Sequence, residues 1–249
     1  MCPQRGSECA RVLGLRSVVY VIACGGEVKR ASKFVPGFGE PVSCSIMKKS
    51  LKIVVIGDGA CGKTSLILAQ SGGPFSEDYT PTAFDDYAIE ALINGKTKIL
   101  TVCDTAGEDD FSSLRPLSYP DTDVFILCYS VERPESIRRL RDKWIPEIKQ
   151  FCPHTPMLVV GNKKDIRDEI ERRRRHPHAD DPAPPKVVDL HEASECAQEF
   201  SSFNLIECSA KTREGVRKVF ETAINAAVAF RSKQQNKVLE SIMKLKLVF

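Results

Sequence analysis

A chain of 249 residues with 42% hydrophobic and 28% charged content is long enough for one sizeable α/β core with appendages, and short for two comfortable domains. A formal net charge of +3 gives no argument for nucleic acid as a partner, and no apolar stretch approaches the span of a membrane helix. The 10 cysteines are scattered through strand-like and helix-like segments without paired zinc-ligand spacing, which points to reduced thiols; Cys128, inside VFILCY, reads as a small core residue.

Residues 1–50 carry scattered Cys, Gly and Pro, no sustained periodicity, and one short apolar segment, VVYVIA at 18–23. They are expected to form a disordered N-terminal extension. From residue 51, strand-like runs at 51–57, 87–93, 98–104, 124–129, 157–161 and 204–208 alternate with helical patterns. The alternation predicts an α/β fold: a mostly parallel six-stranded sheet with helices on both faces. Asn94-Gly95, between the second and third runs, predicts a tight hairpin and therefore one antiparallel pair.

Ile137, Leu140, Trp144 and Ile148 share one helical face, as do Val216, Val219, Phe220, Ala223, Ile224 and Ala227. An insertion at about 166–187 joins a charged run to a proline-rich one, DPAPP at 181–185, and predicts a short surface helix running into a loop. Within it, Arg172 to Arg175 read as a hydrated helix face, and His176, His178, Asp180 and Asp181 as a solvated loop rather than a metal cluster. In the tail at 232–249, Val238, Leu239, Ile242, Met243 and Phe249 share an approximate face. A continuation of the last helix is expected there ahead of an interfacial helix.

The chemistry is concentrated at the ends of the strand-like runs. GDGACGKTS at 57–65 follows a buried strand and opens a helix, the setting in which G-x-x-x-x-G-K-[ST] binds phosphate. Its glycines let backbone N–H groups turn toward phosphate oxygens, so the ligand's phosphates are expected against Gly57, Gly59, Ala60, Cys61, Gly62, Lys63, Thr64 and Ser65. Lys63 would neutralise β/γ charge and the Thr64 hydroxyl would ligate Mg²⁺. A redox-sensitive thiolate at Cys61 is weighed below a small side chain turned into the core.

Asp104-Thr105-Ala106-Gly107 closes the third run, placing a carboxylate for Mg²⁺, through water, and the Gly107 N–H for a terminal phosphate. Asn162-Lys163-Lys164-Asp165 closes the fifth. A carboxylate such as Asp165 accepts from both the ring N–H and the exocyclic amine of guanine, a pattern that adenine lacks. Ser209-Ala210-Lys211 would add a backbone N–H for the guanine oxygen and a lysine stem against the base.

In these motifs and their order, residues 51–231 resemble the Ras-like small GTPases, and the Rho branch among them. Branch-level signals are YTPTAF at 79–84, LRPLSYPDTD at 114–123, FCP at 151–153, and the insertion after the guanine motif. The resemblance implies a GTPase that acts as a GTP/GDP switch with Mg²⁺. It also implies a cytoplasmic monomer that meets exchange factors, GTPase-activating proteins and Rho effectors linked to actin or polarity. It assigns Thr82 to Mg²⁺ and the terminal phosphate, Phe75 to the guanine's side, and Tyr79 to a cover over the phosphates. Pro81, Thr82, Ala83, Phe84, Leu114, Arg115 and Leu117 would belong to the switch and effector surface.

Two departures stand out. Where the family carries a glutamine after D-T-A-G, this chain has Glu108, a carboxylate that cannot donate to transition-state oxygens and adds negative charge near the γ-phosphate. With Lys63, Gly107 and Thr82 around it, Glu108 is expected to give slow, activator-insensitive hydrolysis; a GTP-held module acting by effector binding alone is the alternative. The second is the end of the chain, KLVF at 246–249, with Cys208 as the last cysteine, so membrane contact through prenylation is not expected.

Overall fold

The computed structural model describes residues 18–21, 50–78, 80–82, 84–93, 96–176, 183, 185–201 and 203–246. Strand β2, Leu51–Gly57, is buried almost throughout and carries apolar residues on both sides. Ile53 and Val55 face one core with Leu66, Val219 and Phe220, whereas Val54 and Ile56 face another with Trp144, Tyr129 and Phe125. Alternate residues of one strand thus feed two layers, the pattern of a sheet covered by helices on both faces. Each such side chain, removed from water, contributes about 1.5–3 kcal/mol.

Around β2 lie β4 (Lys96–Thr105) on one side and β5 (Val124–Ser130) on the other, both parallel to it. β6 (Met157–Asn162) and the two-residue β7 (Ile206–Glu207) continue in parallel beyond β5. β3 (Phe84–Ile93) pairs antiparallel with β4, with Ile93 opposite Lys96, so the expected single antiparallel pair is present. The Asn94-Gly95 turn itself lies outside the described residues.

Among the described residues the sheet has seven strands; with β1 spanning Val18–Val21, their order is β1-β3-β4-β2-β5-β6-β7. The six expected from the apolar runs are joined by β1, Val18–Val21, parallel to β3 in the register Val18 to Tyr87. These four residues correct the expectation of disorder where they fall. Three β-branched valines and a tyrosine suit a sheet edge. The remainder of 1–49 lies outside the described residues.

Helix α1, Lys63–Gln70, follows β2 directly. After β5 comes a continuous helical stretch: α2 (Pro134–Arg139), a wide π turn over Leu140–Trp144, and α3 (Ile145–Phe151). The widened turn lies just ahead of Pro146, which has no N–H for a regular helical bond. The insertion begins as α4, Lys164–Arg175, as expected; most of its proline-rich part, with His178, Asp180 and Asp181, lies outside the described residues. α5 (Leu190–Phe200) covers the second core, and α6 (Val216–Lys246) runs through the tail without a break at 232. No helix among the described residues is long and apolar enough to cross a membrane.

Candidate functional site

The parallel strands β2, β4, β5, β6 and β7 end on the same edge of the sheet, and β2 is the strand at which the chain's connections turn from one side to the other. Ligands of open α/β sheets bind at such a switch point. Gly57 leaves β2 with φ +150°, and a Cβ there would stand 2.2 Å from the Cys128 carbonyl oxygen, so only glycine makes this exit.

Lys63, the first residue of α1, is buried and folds back over the loop. Its Nζ donates to the carbonyl oxygens of Gly57 at 3.0 Å and Asp58 at 2.9 Å, which centres the ammonium on the turn that backbone N–H groups encircle. The loop is held from outside as well. Trp144 Nε1 donates to Asp58 Oδ1 at 2.8 Å, Arg139 Nε pairs with the same oxygen at 3.1 Å, and Arg133 Nη2 donates to the Gly59 carbonyl at 2.6 Å.

Beside Lys63, three oxygens from three segments converge. Thr64 Oγ1 donates to Asp104 Oδ2 at 2.5 Å and lies 2.9 Å from Thr82 Oγ1. Asp104 is fully buried, and its Oδ1 has no partner among the described residues. Burial raises its carboxyl to about 6, against the opposing pull of Lys63 and the Thr64 hydroxyl. An orphaned buried carboxylate oxygen beside two hydroxyls is a donor set that a hard divalent cation takes, so Thr64, Thr82 and Asp104 fit Mg²⁺. When bound, Mg²⁺ would neutralise charge on β- and γ-phosphate oxygens.

At the far end of the loop, Asn162 Nδ2 donates to the Cys61 carbonyl at 2.9 Å and its Oδ1 accepts from the Cys208 thiol at 3.2 Å. Asn162 therefore ties the phosphate loop to the ends of β6 and β7. Ser209 Oγ donates to Asp165 Oδ1 at 2.6 Å, so the carboxylate is fixed for a ligand's paired donors. The two motifs are 44 residues apart in the chain and touch in the fold.

A model of the Ras family matches residues 52–229. The chain belongs to the Ras family. It is therefore a small GTPase by family, and its fold is the Ras-like G domain; proteins of this family bind GTP or GDP with Mg²⁺ and work with exchange factors, GTPase-activating proteins and effectors. The fold gathers most of the residues read from the motifs. Gly59, Ala60, Gly62 and Ser65 line the loop and the start of α1 around Lys63, and Cys61 is buried, with desolvation raising its thiol, the condition of a core side chain and not of a reactive thiolate.

The segment after β4 runs back against the phosphate loop. Gly107 runs so close to the phosphate loop that a Cβ would meet the Gly59 nitrogen at 2.3 Å. Glu108 follows, half-buried, on the wall of a cavity of about 450 Å³ shared with Asp58, Gly59, Gly107, Arg133 and Arg139. Two short 3₁₀ turns, Asp109–Phe111 and Arg115–Ser118, then present Leu114 and Leu117 to solvent, 58% and 76% exposed.

Arg115, expected with them on the effector surface, is instead buried. It donates to the Ala106 carbonyl at 2.6 Å, pairs with Glu147 at 3.0 Å, and lies 4.4 Å from the Trp144 ring centroid. Its place in the sequence, between exposed leucines, gave no hint of a role as an internal strut.

On the other side, Pro81 is exposed and Phe84 half-buried against the second core. Phe75 is 43% exposed in the loop that follows α1. Lys163 turns left-handed at φ +66° and pairs with Glu132, while Lys211 reaches Glu77 at 2.8 Å across the base end, with Ala210 half-buried beside it. That contact raises the lysine and lowers the glutamate from their ordinary values. Tyr79 and Ala83 lie outside the described residues. Sequence reasoning missed Trp144, Arg133 and Arg139 as supports of the phosphate loop: Trp144 read only as one residue of an apolar helical face, and no motif singled out either arginine.

Proposed function

We propose that the chain is a Rho-type guanine-nucleotide switch whose hydrolysis of GTP is slowed by Glu108. The observation that carries the reading is the position of Glu108: next to Gly107, which abuts the phosphate loop, and on the wall of the cavity beside Gly59. A glutamine amide there would both orient water and donate to the transition state. A carboxylate accepts from water but cannot donate, and its charge opposes that gathering on the γ-phosphate oxygens.

The Rho assignment rests on the motif resemblance and on α4, the charged helix that follows the guanine motif where the branch carries its insertion. Signalling to the cytoskeleton or polarity, a cytoplasmic place and monomeric action follow from that resemblance. Exchange factors, activating proteins and Rho effectors would be its partners, with Leu114, Leu117 and Pro81 among the surface they read.

The test is single-turnover hydrolysis by protein loaded with GTP and Mg²⁺, alone and with a Rho-type activating protein, for the parent and Glu108→Gln. A faster glutamine variant supports the reading; equal rates defeat the impairment. GTP that persists in the parent under both conditions would favour a GTP-held module that acts through effector binding alone.

A further inference from the structure

The cavity beside the phosphate loop holds two arginines in different electrostatic states. Arg139 is satisfied: its guanidinium pairs with Asp58 at 3.1 Å and with Asp109 at 3.5 Å. Arg133 forms no ion pair among the described residues; its Nη2 rests on the Gly59 carbonyl at 2.6 Å, and its Nε is buried without a partner. Glu108, on the same cavity wall, likewise has no cationic partner among the described residues. Asp58, Asp109, Asp110 and Glu135 also line the cavity, yet none lies within ion-pair distance of Arg133, so its half-buried guanidinium rests on a backbone dipole without a direct counter-charge, which is costly. It becomes favourable once an anion enters next to Gly59.

The anion this loop is built for is a nucleotide triphosphate, and its γ-phosphate end belongs on the side where Gly59, Gly107 and Glu108 meet. We propose that Arg133 is a catalytic arginine supplied in cis, stabilising the charge that develops as GTP is hydrolysed. This rests on the guanine-nucleotide hydrolase reading above. In the reaction the water oxygen bonds to the γ-phosphorus while the bond from that phosphorus to the β–γ bridging oxygen breaks; GDP leaves with the bond's electrons, and the water's protons pass to the released phosphate and solvent. Negative charge grows on the bridging oxygen during the step. With Nη2 anchored on the Gly59 carbonyl and Nε buried, Nη1 is the group that would turn to that oxygen and the γ-oxygens once the triphosphate is bound. Its charge also offsets the carboxylate that Glu108 brings to the site. An arginine already in place would also leave hydrolysis little to gain from an activating protein, whose own arginine would meet an occupied position.

The experiment compares the parent, Arg133→Ala and Arg133→Lys in single-turnover GTP hydrolysis without any activating protein, alongside GTP and GDP affinity. Formation of a complex with GDP and aluminium fluoride, a mimic of the transferring phosphoryl group, is measured in parallel. We expect the alanine variant to lose at least about tenfold in hydrolysis rate and to lose the fluoride complex, with the lysine variant between the two. Nucleotide affinity should stay within about threefold of the parent, separating transition-state stabilisation from loop support. Parental hydrolysis by the alanine variant overturns the proposal, as does a loss confined to nucleotide affinity. A parent that holds GTP unhydrolysed overturns it while leaving guanine-nucleotide binding intact; failure to bind guanine nucleotide at all would remove both readings.

Discussion

The indole N–H of Trp144 donates to Asp58 Oδ1 at 2.8 Å, linking the phosphate loop to a helix 86 positions away in the chain. Trp144 is fully buried, and the Arg115 guanidinium and Lys143 ammonium face its ring at 4.4 Å and 4.0 Å. The loop carboxylate, the π turn and the segment that carries Arg115 therefore share one anchor. Trp144→Phe keeps an aromatic ring and removes the donor, leaving Arg139 alone on Asp58. Unfolding in urea should show a loss of about 1–3 kcal/mol, and a fluorescent GDP analogue should dissociate faster. Parental values for both would mean that Arg139 suffices.

The difference between Trp144 and Lys63 shows what a sequence exposes. Lys63 is legible because its task depends on neighbours within seven residues, all inside GDGACGKTS, and because the apolar run before it announces a buried strand. The mostly parallel sheet with one antiparallel pair was likewise legible from alternating runs and a hairpin signal, though not its strand order. Trp144 read as a core residue, and it is one, but its N–H meets Asp58 only because the helix after β5 packs across the end of β2. Arg133 and Arg115 were opaque for a related reason: Arg133 rests on a backbone carbonyl, which no side-chain pattern marks, and Arg115 adds to such a carbonyl a carboxylate and a ring about 30 residues further along the chain. The strand Val18–Val21 was hidden by its own neighbourhood, where Cys, Gly and Pro obscure four residues that pair with β3.

Gly161 offers a prediction on stability. A Cβ at this position of β6 would stand 2.5 Å from Tyr129 Oη and 3.0 Å from Glu207 Cγ. Those atoms belong to a buried network in which the Tyr129 hydroxyl donates to Glu207 at 2.9 Å and Arg167 pairs with the same carboxylate at 2.9 Å. Gly161→Ala must push both aside, and overpacking of this kind costs about 1–3 kcal/mol. A lowered urea midpoint with an unchanged slope would bear this out, and parental stability would show that the network yields.

Removal of the divalent ion should act through Asp104. Chelation of Mg²⁺ is expected to speed nucleotide release from the parent, since Thr64, Thr82 and Asp104 would lose the charge that binds them together with phosphate. Asp104→Asn keeps the shape and removes the carboxylate, so the Mg²⁺ concentration needed to slow release should rise at least about tenfold. Release that ignores Mg²⁺ in the parent would mean that the converging oxygens serve only each other.

Base selection should fall on Asp165 more heavily than on the serine that holds it. Ser209 Oγ donates to Asp165 Oδ1 at 2.6 Å and thereby orients the carboxylate, while the charge and the free lone pairs of its oxygens would accept from the two donors of a guanine. Asp165→Asn turns one acceptor into a donor, which would face the donors of guanine and leave buried polar groups mismatched. Sites built on such contacts discriminate by up to about 10⁴–10⁵. GTP affinity should therefore fall at least about a hundredfold, well short of that ceiling because the phosphate loop is untouched. Ser209→Ala, which removes only the orienting hydroxyl, should lose about tenfold or less. ATP should bind neither variant better than the parent. Competition titrations against a fluorescent GDP analogue, with thermal unfolding to exclude misfolding, measure the order directly; a serine variant weaker than the aspartate one would reverse the roles assigned here.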